Sequence, residues 1–347
     1  MPIVEVTRPV VGGVDTHLDV HVAAVVDPVG GLLGVESFPT TPAGYHDLAE
    51  WLESFGPVER VGVEGTGTYG AGLARHLSAS GVAVVEVDRP NRQARRRNGK
   101  SDELDAIEAA RAALSGRASG MAKAATGNVE ALRTLLVAKR SARSIRIKTI
   151  GQLRHLVVTA PDDLRGHLGG LSTKALIRQA GALRPRTGSH PVRHAIKTAI
   201  VSLARRVQAI NTEIAALDAQ IETLVRATAP ALLDVYGAGP DTAAILLTAA
   251  GDNPGRIRSE AAWAKICGVA PVPAGSGKTN GRHRLNQGGN RQANHALWRI
   301  VLTRLGQGDP RTVAYMQRRL AEGRTKPEII RALKRYVARE IFPRLPT

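Results

Sequence analysis

Short valine-rich runs, broken by glycine and proline, dominate the first ninety residues and constrain the fold more than any other feature. Three such runs between Val4 and Thr40 (VEVTRPVVGGVD, VHVAAVVDP and GLLGVESFP) predict short antiparallel strands. An amphipathic stretch, Tyr45 to Ser54, predicts a helix. A strand from Val58 to Glu64, a helix near Ala71–Ser80 and a strand from Val82 to Val87 follow. The pattern predicts a mixed α/β domain.

Three strands, then helix, strand, helix and strand is the order of a ribonuclease H-like domain. Asp15 and Glu64 stand at the ends of two of these strands. A further helix is predicted to begin after Ser101, an N-cap residue, with Asp102 and Asp105 three residues apart on one face. Four converging carboxylates can bind one or two Mg²⁺ (or Mn²⁺) ions. Surface charge or helix capping explains each acid taken singly.

The charge of the chain is unevenly distributed. Its 347 residues carry a net charge of +18, but residues 1–88 hold three bases and twelve acids, and the remainder is net +27. Such a basic chain favours a polyanionic partner. One interpretation is a nucleic-acid-binding protein in which the acidic N-terminal region is incidental. The other is a nuclease-type N-terminal domain, whose acids bind cations, followed by a basic region that binds phosphates. The basic run at 89–100 offers four candidate nucleic-acid contacts: Arg95, Arg96, Arg97 and Lys100.

Several functional classes are disfavoured. The single cysteine, Cys267, excludes an internal disulfide framework and a cysteine-based zinc cluster. No run of eighteen apolar residues and no signal-peptide pattern is present, so we expect a soluble, cytoplasmic protein without a membrane partner. Gly65–Gly70 fits a dinucleotide-binding motif, but on the fourth strand rather than the first. Ser276–Thr279 ends like a phosphate-binding loop, yet Val272 replaces its first glycine.

The middle of the chain predicts a long helix with a regular apolar seam. Seven apolar residues alternate spacings of four and three: Leu203, Val207, Ile210, Ile214, Leu217, Ile221 and Leu224. The seam favours a two-stranded coiled coil and hence a homo-oligomer, a dimer or tetramer. The alternative is an antiparallel hairpin with an earlier helix near Val129–Val158. We therefore predict a domain at 1–120, a helical coiled-coil region at 121–228 and a mainly helical domain at 229–347.

Two segments of the last domain are candidates for nucleic-acid chemistry. YGAGPDTAAILLTAAGD resembles a helix-hairpin-helix, in which the amides at Gly237 and Gly239 would face a phosphate; an ordinary tight helix connection is the alternative. Ser276 lies between two glycines, which would let a phosphate approach the backbone closely, and the Lys278 ammonium can stabilise the negative charge of that phosphate. A flexible glycine-serine loop is the alternative there. A cationic amphipathic helix is predicted from Lys326 onward.

The motifs GVDTHLDVHVAAVVD, VGVEGTGTYG and KSDELDAIEAARAAL resemble the DEDD transposases of the IS110 insertion-sequence family, which are related to the Piv invertase. The hairpin segment and CGVAPVPAGSGKTNGRHRLNQGGNRQANHALWRI resemble that family's second half. The resemblance implies a RuvC-like domain whose acids match Asp15, Glu64, Asp102 and Asp105, and a C-terminal domain whose essential serine matches Ser276. It also implies a noncoding bridge RNA that pairs with donor and target DNA, in a bacterial, nucleoid-associated setting.

The serine loop departs from the family pattern. Many members have two adjacent serines at this place, whereas Gly275 precedes Ser276 here. The basic segment after the serine offers three candidate DNA contacts, Arg282, Arg284 and Arg291, and the sequence does not decide among them. The resemblance implies an RNA-guided, Mg²⁺-dependent recombinase in which Ser276 forms a covalent link to DNA. The alternatives are a RuvC-type nuclease or junction resolvase that uses water, and a nucleic-acid-binding protein without catalysis.

Overall fold

The computed structural model describes residues 8–87, 101–118, 120–123, 127–185, 190–253, 255–275, 283–284, 286 and 288–346. The described residues form two compact units. The sheet unit comprises the chain up to Gly127 together with 251–258, and the helical unit comprises 128–250 and 259–346. The division into three domains at residues 120 and 228 stays a prediction.

The sheet unit is built on one mixed six-stranded sheet, with the strand order β3-β2-β1-β4-β5-β6. β1 pairs antiparallel with β2, and β2 with β3, whereas β1, β4 and β5 run parallel. The strands are β1 (Val10–Thr16), β2 (Val20–Val26), β3 (Leu32–Pro39), β4 (Val58–Glu64), β5 (Val84–Val87) and β6 (Gly120–Met121). The mixed α/β sheet that the valine-rich runs predict is confirmed.

Three helices cover the two faces of this sheet: α1 (Pro42–Glu53), α2 (Ala71–Ala79) and α3 (Asp102–Leu114). Val14 and Val63 pack on one face with leucines of α1 and α2. Val11 packs on the other face with alanines of α3. The central strands β1 and β2 therefore bury both faces, which explains why their runs are continuously apolar rather than alternating, whereas the edge strand β3 is largely exposed.

Helix α3 approaches the sheet unusually closely at Gly13. A Cβ atom built on Gly13 would lie 2.0 Å from the Ala110 nitrogen and 2.4 Å from the Ala106 carbonyl oxygen. No residue other than glycine fits this distance without moving the helix. The glycine in the strand and the alanines in the helix together set the height of α3 above β1.

A segment from the second half of the chain, residues 251–258, belongs to the sheet unit. The Asn253 side-chain amide donates to the Ala122 carbonyl oxygen over 2.7 Å, and Arg256 Nε donates to the Met121 carbonyl oxygen over 3.0 Å. Arg256 also lies 3.6 Å from the Glu86 carboxylate of β5. These contacts bind the segment to the β5–β6 side of the sheet.

The helical unit contains two long helices, α4 (Asn128–Val158) and α7 (Pro191–Thr228), with α5 (Asp162–Leu168) and α6 (Thr173–Ala182) between them. Near one end Ala142 packs against Ile210 and Ile214, and farther along α4 Leu153 packs in a cluster with Ile200. As α4 advances, its partner on α7 recedes, so the two helices are antiparallel.

The apolar seam of α7 is occupied within the same chain. Val207, Ile210, Ile214 and Ile221 are buried, and the three leucines of the seam are half-buried. The intramolecular hairpin, which the sequence left open as the alternative, is the arrangement observed. Self-association through a coiled coil stays a prediction.

The last part of the helical unit consists of short helices and one two-stranded ribbon. The helices are α8 (Pro240–Ala250), α9 (Glu260–Ile266), α10 (Arg291–Gly306), α11 (Pro310–Ala321) and α12 (Lys326–Ile341), and the ribbon pairs β7 (Val272–Pro273) with β8 (His283–Arg284). The helix predicted from Lys326 is confirmed. Within the described residues, no helix combines the length and apolar character needed to cross a membrane.

Candidate metal centre at the strand ends

Asp15 lies next to the last residue of β1, on the face of the sheet that α3 covers. Strand alternation puts Val11, Gly13 and Asp15 on this face and Val14 on the opposite one. The packing agrees, since Val11 contacts α3 and Val14 lies in the core beneath α1 and α2. Asp15 is buried, with 7% of its surface exposed.

Glu64, the last residue of β4, is the neighbour of Asp15 on the adjacent strand. β1 and β4 are parallel with Val14 opposite Val63, so Asp15 and Glu64 follow as the next pair. The Thr16 hydroxyl donates to the Glu64 carbonyl oxygen over 2.9 Å and ties the two strand ends together. The carboxyl ends of two parallel strands thus carry these acids at one edge of the sheet.

Asp102 and Asp105 lie in the first turn of α3. The Ser101 hydroxyl accepts the Leu104 amide at 3.2 Å, so Ser101 is the N-cap that its position predicts. Acids in the first turn also interact favourably with the helix dipole. Asp105 is 4% exposed, whereas half of the Asp102 side chain is exposed. The close packing of α3 on β1 carries this turn to the edge occupied by Asp15.

His17 connects two of the carboxylates. Its Nε2 atom lies 3.1 Å from Asp15 Oδ2 and 3.4 Å from Asp102 Oδ2. One ligand atom from each of these three residues lies within 4.8 Å of the other two. A single cation can therefore contact all three groups.

The close spacing of several acids in this cluster affects the pKa of Asp15. Burial raises the pKa of the Asp15 carboxyl above its ordinary value, His17 lowers it, and the charges of Asp105 and Asp102 raise it further. The balance is a raised pKa, which means that ionised Asp15 is not fully compensated by the protein. A bound divalent cation would offset both the loss of solvation and the repulsion from the neighbouring carboxylates, and would so lower the pKa of Asp15.

The donor chemistry suits a hard divalent cation. Carboxylate oxygens are the preferred ligands of Mg²⁺ and are also used for Mn²⁺. The acids available are Asp15 and Asp102 in the close cluster, Asp105 beside them and Glu64 on the adjacent strand. The residues present therefore fit a metal of this class.

The serine loop and the basic run are not part of the described structure. Outside the described residues lie Arg95, Arg96, Arg97, Lys100, Ser276, Lys278 and Arg282. The backbone of Arg284 is described in β8, but its side chain is not. Arg291 is exposed at the first residue of α10. The roles of all these residues stay predictions.

The predicted hairpin turn precedes α8 and engages its own polar groups. Gly237 has φ +82°, a conformation that favours glycine. The Gly239 amide donates to the Thr242 hydroxyl over 2.9 Å, and that hydroxyl donates back to the Gly239 carbonyl oxygen. In the described state the Gly239 amide is thus occupied within the turn. Its contact with a phosphate stays a prediction.

An ionic cluster around the buried Lys139 lies beside this turn. The Lys139 ammonium of α4 contacts the carboxylates of Asp218 and Asp241, and Arg143 and Arg299 each lie 3.0 Å from Asp241 Oδ2. Burial raises the pKa of Asp241, but hydrogen bonds from Lys139 and Arg299 and the charge of Arg143 lower it overall. Asp241 is held as an anion that joins α4, α8 and α10.

The sequence does not predict the roles of two residues in these clusters, His17 and Lys139. His17 follows Asp15 by two residues, a spacing that continues the face of a strand, and this was the available signal. Lys139 follows the buried Leu132 and Leu136 at helical spacing, so it stands where an apolar residue is expected. A lysine at such a position indicates a buried partner, but not which carboxylate it is.

Family models match both halves of the chain. The model for the DEDD transposases of IS110 matches residues 12–160, which include all four acids. The model described as "Transposase IS116/IS110/IS902 family" matches residues 229–317, which include the hairpin turn and the serine loop. The first model thus covers the acidic motifs of the N-terminal part, and the second covers the motifs of the C-terminal part.

Two relatives agree with this assignment. The "Insertion element IS110 uncharacterized 43.6 kDa protein" of Streptomyces coelicolor is 31% identical over 148 residues, 42% of this chain and 36% of the relative. The "Insertion element IS900 uncharacterized 42 kDa protein" of Mycobacterium paratuberculosis is 30% identical over 190 residues, 50% of this chain and 47% of the relative. The chain thus matches less than half the length of each relative. It belongs to the IS116/IS110/IS902 family of transposases.

Proposed function

We propose that the chain is a metal-dependent transposase that cleaves and rejoins DNA. The observation that carries the proposal is the convergence of the strand-end acids Asp15 and Glu64 with the first turn of α3, in a chain that matches two transposase models. An isolated acid has many uses, whereas a partly buried carboxylate cluster at the carboxyl edge of a sheet is suited to metal-assisted phosphoryl chemistry.

In this proposal Asp15, Glu64, Asp102 and Asp105 hold Mg²⁺ or Mn²⁺. When bound, such a cation stabilises negative charge on a phosphate and lowers the pKa of a coordinated hydroxyl. Asp15 is held on β1 and Asp105 in the first turn of α3, and both are buried, so these two acids are the rigid part of the site. His17 orients Asp15 through its 3.1 Å contact.

Ser276 is the proposed nucleophile. Its Oγ would attack the phosphorus of a DNA phosphodiester, forming a phosphoserine bond as the bond to the leaving sugar oxygen breaks. The serine proton leaves to a base, and the departing oxygen takes up a proton. The phosphoserine bond conserves the energy of the phosphodiester, so a hydroxyl of a second strand can reverse the step without ATP. The serine-glycine-lysine sequence and the family resemblance support this role.

The proposed partners are the DNA ends of the element, a target DNA and a noncoding guide RNA. The net charge of +27 beyond residue 88 supports electrostatic binding of nucleic-acid backbones. If pairing with the guide selects the sequence, the protein needs to recognise only backbone and shape. We also propose a homo-oligomer, in which the acids of one chain and the serine of another can act together.

A denaturing gel with labelled element-end DNA, target DNA, Mg²⁺ and the element's noncoding RNA tests the proposal. We expect a DNA-linked protein band, which Ser276→Ala abolishes and Asp15→Asn abolishes together with all cleavage. The matched controls are Ser202→Ala on α7 and Asp47→Asn on α1, both at exposed positions. A band that disappears only in the first two variants supports the recombinase.

Two other outcomes identify the alternatives. Free nicked DNA, with cleavage retained in Ser276→Ala, would indicate a RuvC-type nuclease that uses water. Binding that neither substitution alters, without any cleavage, would indicate a nucleic-acid-binding protein without catalysis. Omitting the RNA tests guidance separately, because an unguided recombinase forms the adduct without it.

A further inference from the structure

The helical unit contains a cleft of about 440 Å³ between the turn before α8 and the helices α10, α11 and α12. Three of the five tyrosines in the chain line it: Tyr236, Tyr315 and Tyr336. Its apolar floor includes Val301 and Leu333. The cleft is of the size that proteins use for small planar ligands.

The tyrosine rings are arranged as a fixed but accessible platform. Tyr315 and Tyr336 meet edge to face, with centroids 5.5 Å apart and planes at 79°. Burial raises the pKa of the Tyr315 hydroxyl, and its proximity to Tyr336 and a hydrogen bond with it raise the pKa further. Tyr336 nevertheless leaves 50% of its surface exposed and Tyr236 leaves 49%. Large aromatic surfaces are thus held in place while open to solvent.

One wall of the cleft is fixed by Arg304. Its guanidinium donates to the Tyr236 carbonyl oxygen over 2.8 Å and to Glu340 Oε2 over 3.0 Å. The other acid in the cleft, Asp309, accepts hydrogen bonds from the Thr312 amide and hydroxyl. Both acids of the cleft are therefore engaged by groups of the protein. Arg304 is engaged by Glu340, and Arg311, the other base of the cleft, is exposed to solvent.

The basic groups stand on the same helix face as one of the rings. Arg311, Tyr315 and Arg318 are spaced by four and three residues on α11, hence on one face. The Arg318 guanidinium lies 5.3 Å from the centre of the Tyr315 ring, and 3.9 Å separates it from Glu322. Residues 310–341 carry nine bases and three acids, so the two helices α11 and α12, which both line the cleft, favour a negatively charged partner.

We infer that this cleft binds unpaired nucleotides of a single strand. A base stacks on the exposed ring of Tyr336 or Tyr236, and the flanking phosphates contact Arg311 and Arg318. Stacking on a ring requires a base that is free of its neighbours, which a duplex does not offer. The inference rests on the proposed function for the class of partner, nucleic acid, and assigns the unpaired part of it to this cleft.

Anisotropy with labelled oligouridylate and oligothymidylate of about twelve nucleotides tests the inference, with a blunt duplex of the same length as comparison. The full chain is used with EDTA, so that failure of strand cleavage does not affect the result. We expect Tyr336→Ala and Tyr315→Ala to weaken single-strand binding about 5- to 100-fold and duplex binding less than about twofold. Tyr336→Phe keeps the ring and should stay within about twofold of wild type.

The control is Leu320→Ala, which removes another exposed apolar side chain of α11 and should change neither affinity. Loss on oligouridylate alone assigns the cleft to RNA, loss on oligothymidylate alone to DNA, and loss on both to either strand. Independently of the variants, photo-crosslinking of the wild type to a 5-iodouracil oligonucleotide should map to Tyr336, Tyr315 or Tyr236. Unchanged single-strand affinity in both alanine variants, an equal loss on duplex, or crosslinks confined to other residues would overturn the inference.

Discussion

Gly13→Ala should separate the acids of α3 from those of the sheet. The added Cβ would lie 2.0 Å from the Ala110 nitrogen, whereas ordinary contacts begin at 3.4 Å. Helix α3 must therefore retreat from β1 by roughly 1.5 Å, because the obstructing atoms are backbone and cannot rotate away. Such a shift is large beside the 3.4 Å contact of His17 with Asp102.

Two opposing effects determine the stability of this variant. Alanine restricts the unfolded chain, which stabilises the fold by about 0.5–1 kcal/mol where space is available. Overpacking of a close interface costs about 1–3 kcal/mol, and a clash with backbone lies at the upper end. We expect a net loss of about 2 kcal/mol in the free energy of unfolding of the sheet unit. Gly120→Ala is the matched control, because nothing lies within 4 Å of its added Cβ.

Binding of Mn²⁺ measured by electron paramagnetic resonance reports on the site, and urea unfolding followed by circular dichroism reports on the fold. Gly13→Ala should bind Mn²⁺ at least about tenfold more weakly than the control, since a displaced α3 withdraws Asp102 and Asp105. If Gly13→Ala bound Mn²⁺ like wild type and unfolded at the same urea concentration, the close approach of α3 would not be what positions the acids.

Two further predictions concern the ionic cluster of the helical unit. Lys139→Met should lower the free energy of unfolding by about 2–4 kcal/mol, because it leaves the largely buried carboxylate of Asp241 with two arginines only. The control is Arg226→Met, in an exposed pair with Glu222, which should lower the free energy of unfolding by less than about 1 kcal/mol. Equal losses in the two variants would contradict the assignment. Since the pKa of Asp241 is lowered in the folded protein, its contribution is fully present above the ordinary carboxyl pKa and is lost as pH falls through the lowered value. The melting temperature of wild type should thus exceed that of Asp241→Asn at pH 6, and the difference should begin to shrink only as the pH falls below about 4, whereas a constant difference would show that protonation of Asp241 is not involved.

Much of the sheet unit follows from local sequence signals. Valine-rich runs with glycine and proline between them predict β2 to β5 with bounds close to those observed, because strand propensity and turn chemistry act over a few residues. The first run is predicted from Val4, whereas β1 begins at Val10. Ser101 is recognisable as an N-cap for the same reason, since its partner is the amide three residues on. Asp15 and Glu64 are predictable as strand-end residues, and parallel pairing then makes them neighbours.

Contacts between distant residues required the tertiary structure. The seam of α7 is an apolar stripe that packs equally well on a second copy or on α4, and its spacing does not encode the partner. Lys139 and Asp241 are about a hundred residues apart, so their pairing has no local signature. The chain has five tyrosines, widely separated in the sequence, and the helical unit gathers three of them in one cleft.

The sequence by itself therefore predicted most strands and helices of the sheet unit, four candidate metal-binding acids and the family, because these depend on short-range periodicity and on motifs that stay together along the chain. Only the tertiary structure decided the distance between β1 and α3, the contact of His17 with two carboxylates, and the partner of the α7 seam. These features depend on which surfaces are buried together, and burial is a property of the packed chain rather than of any one segment.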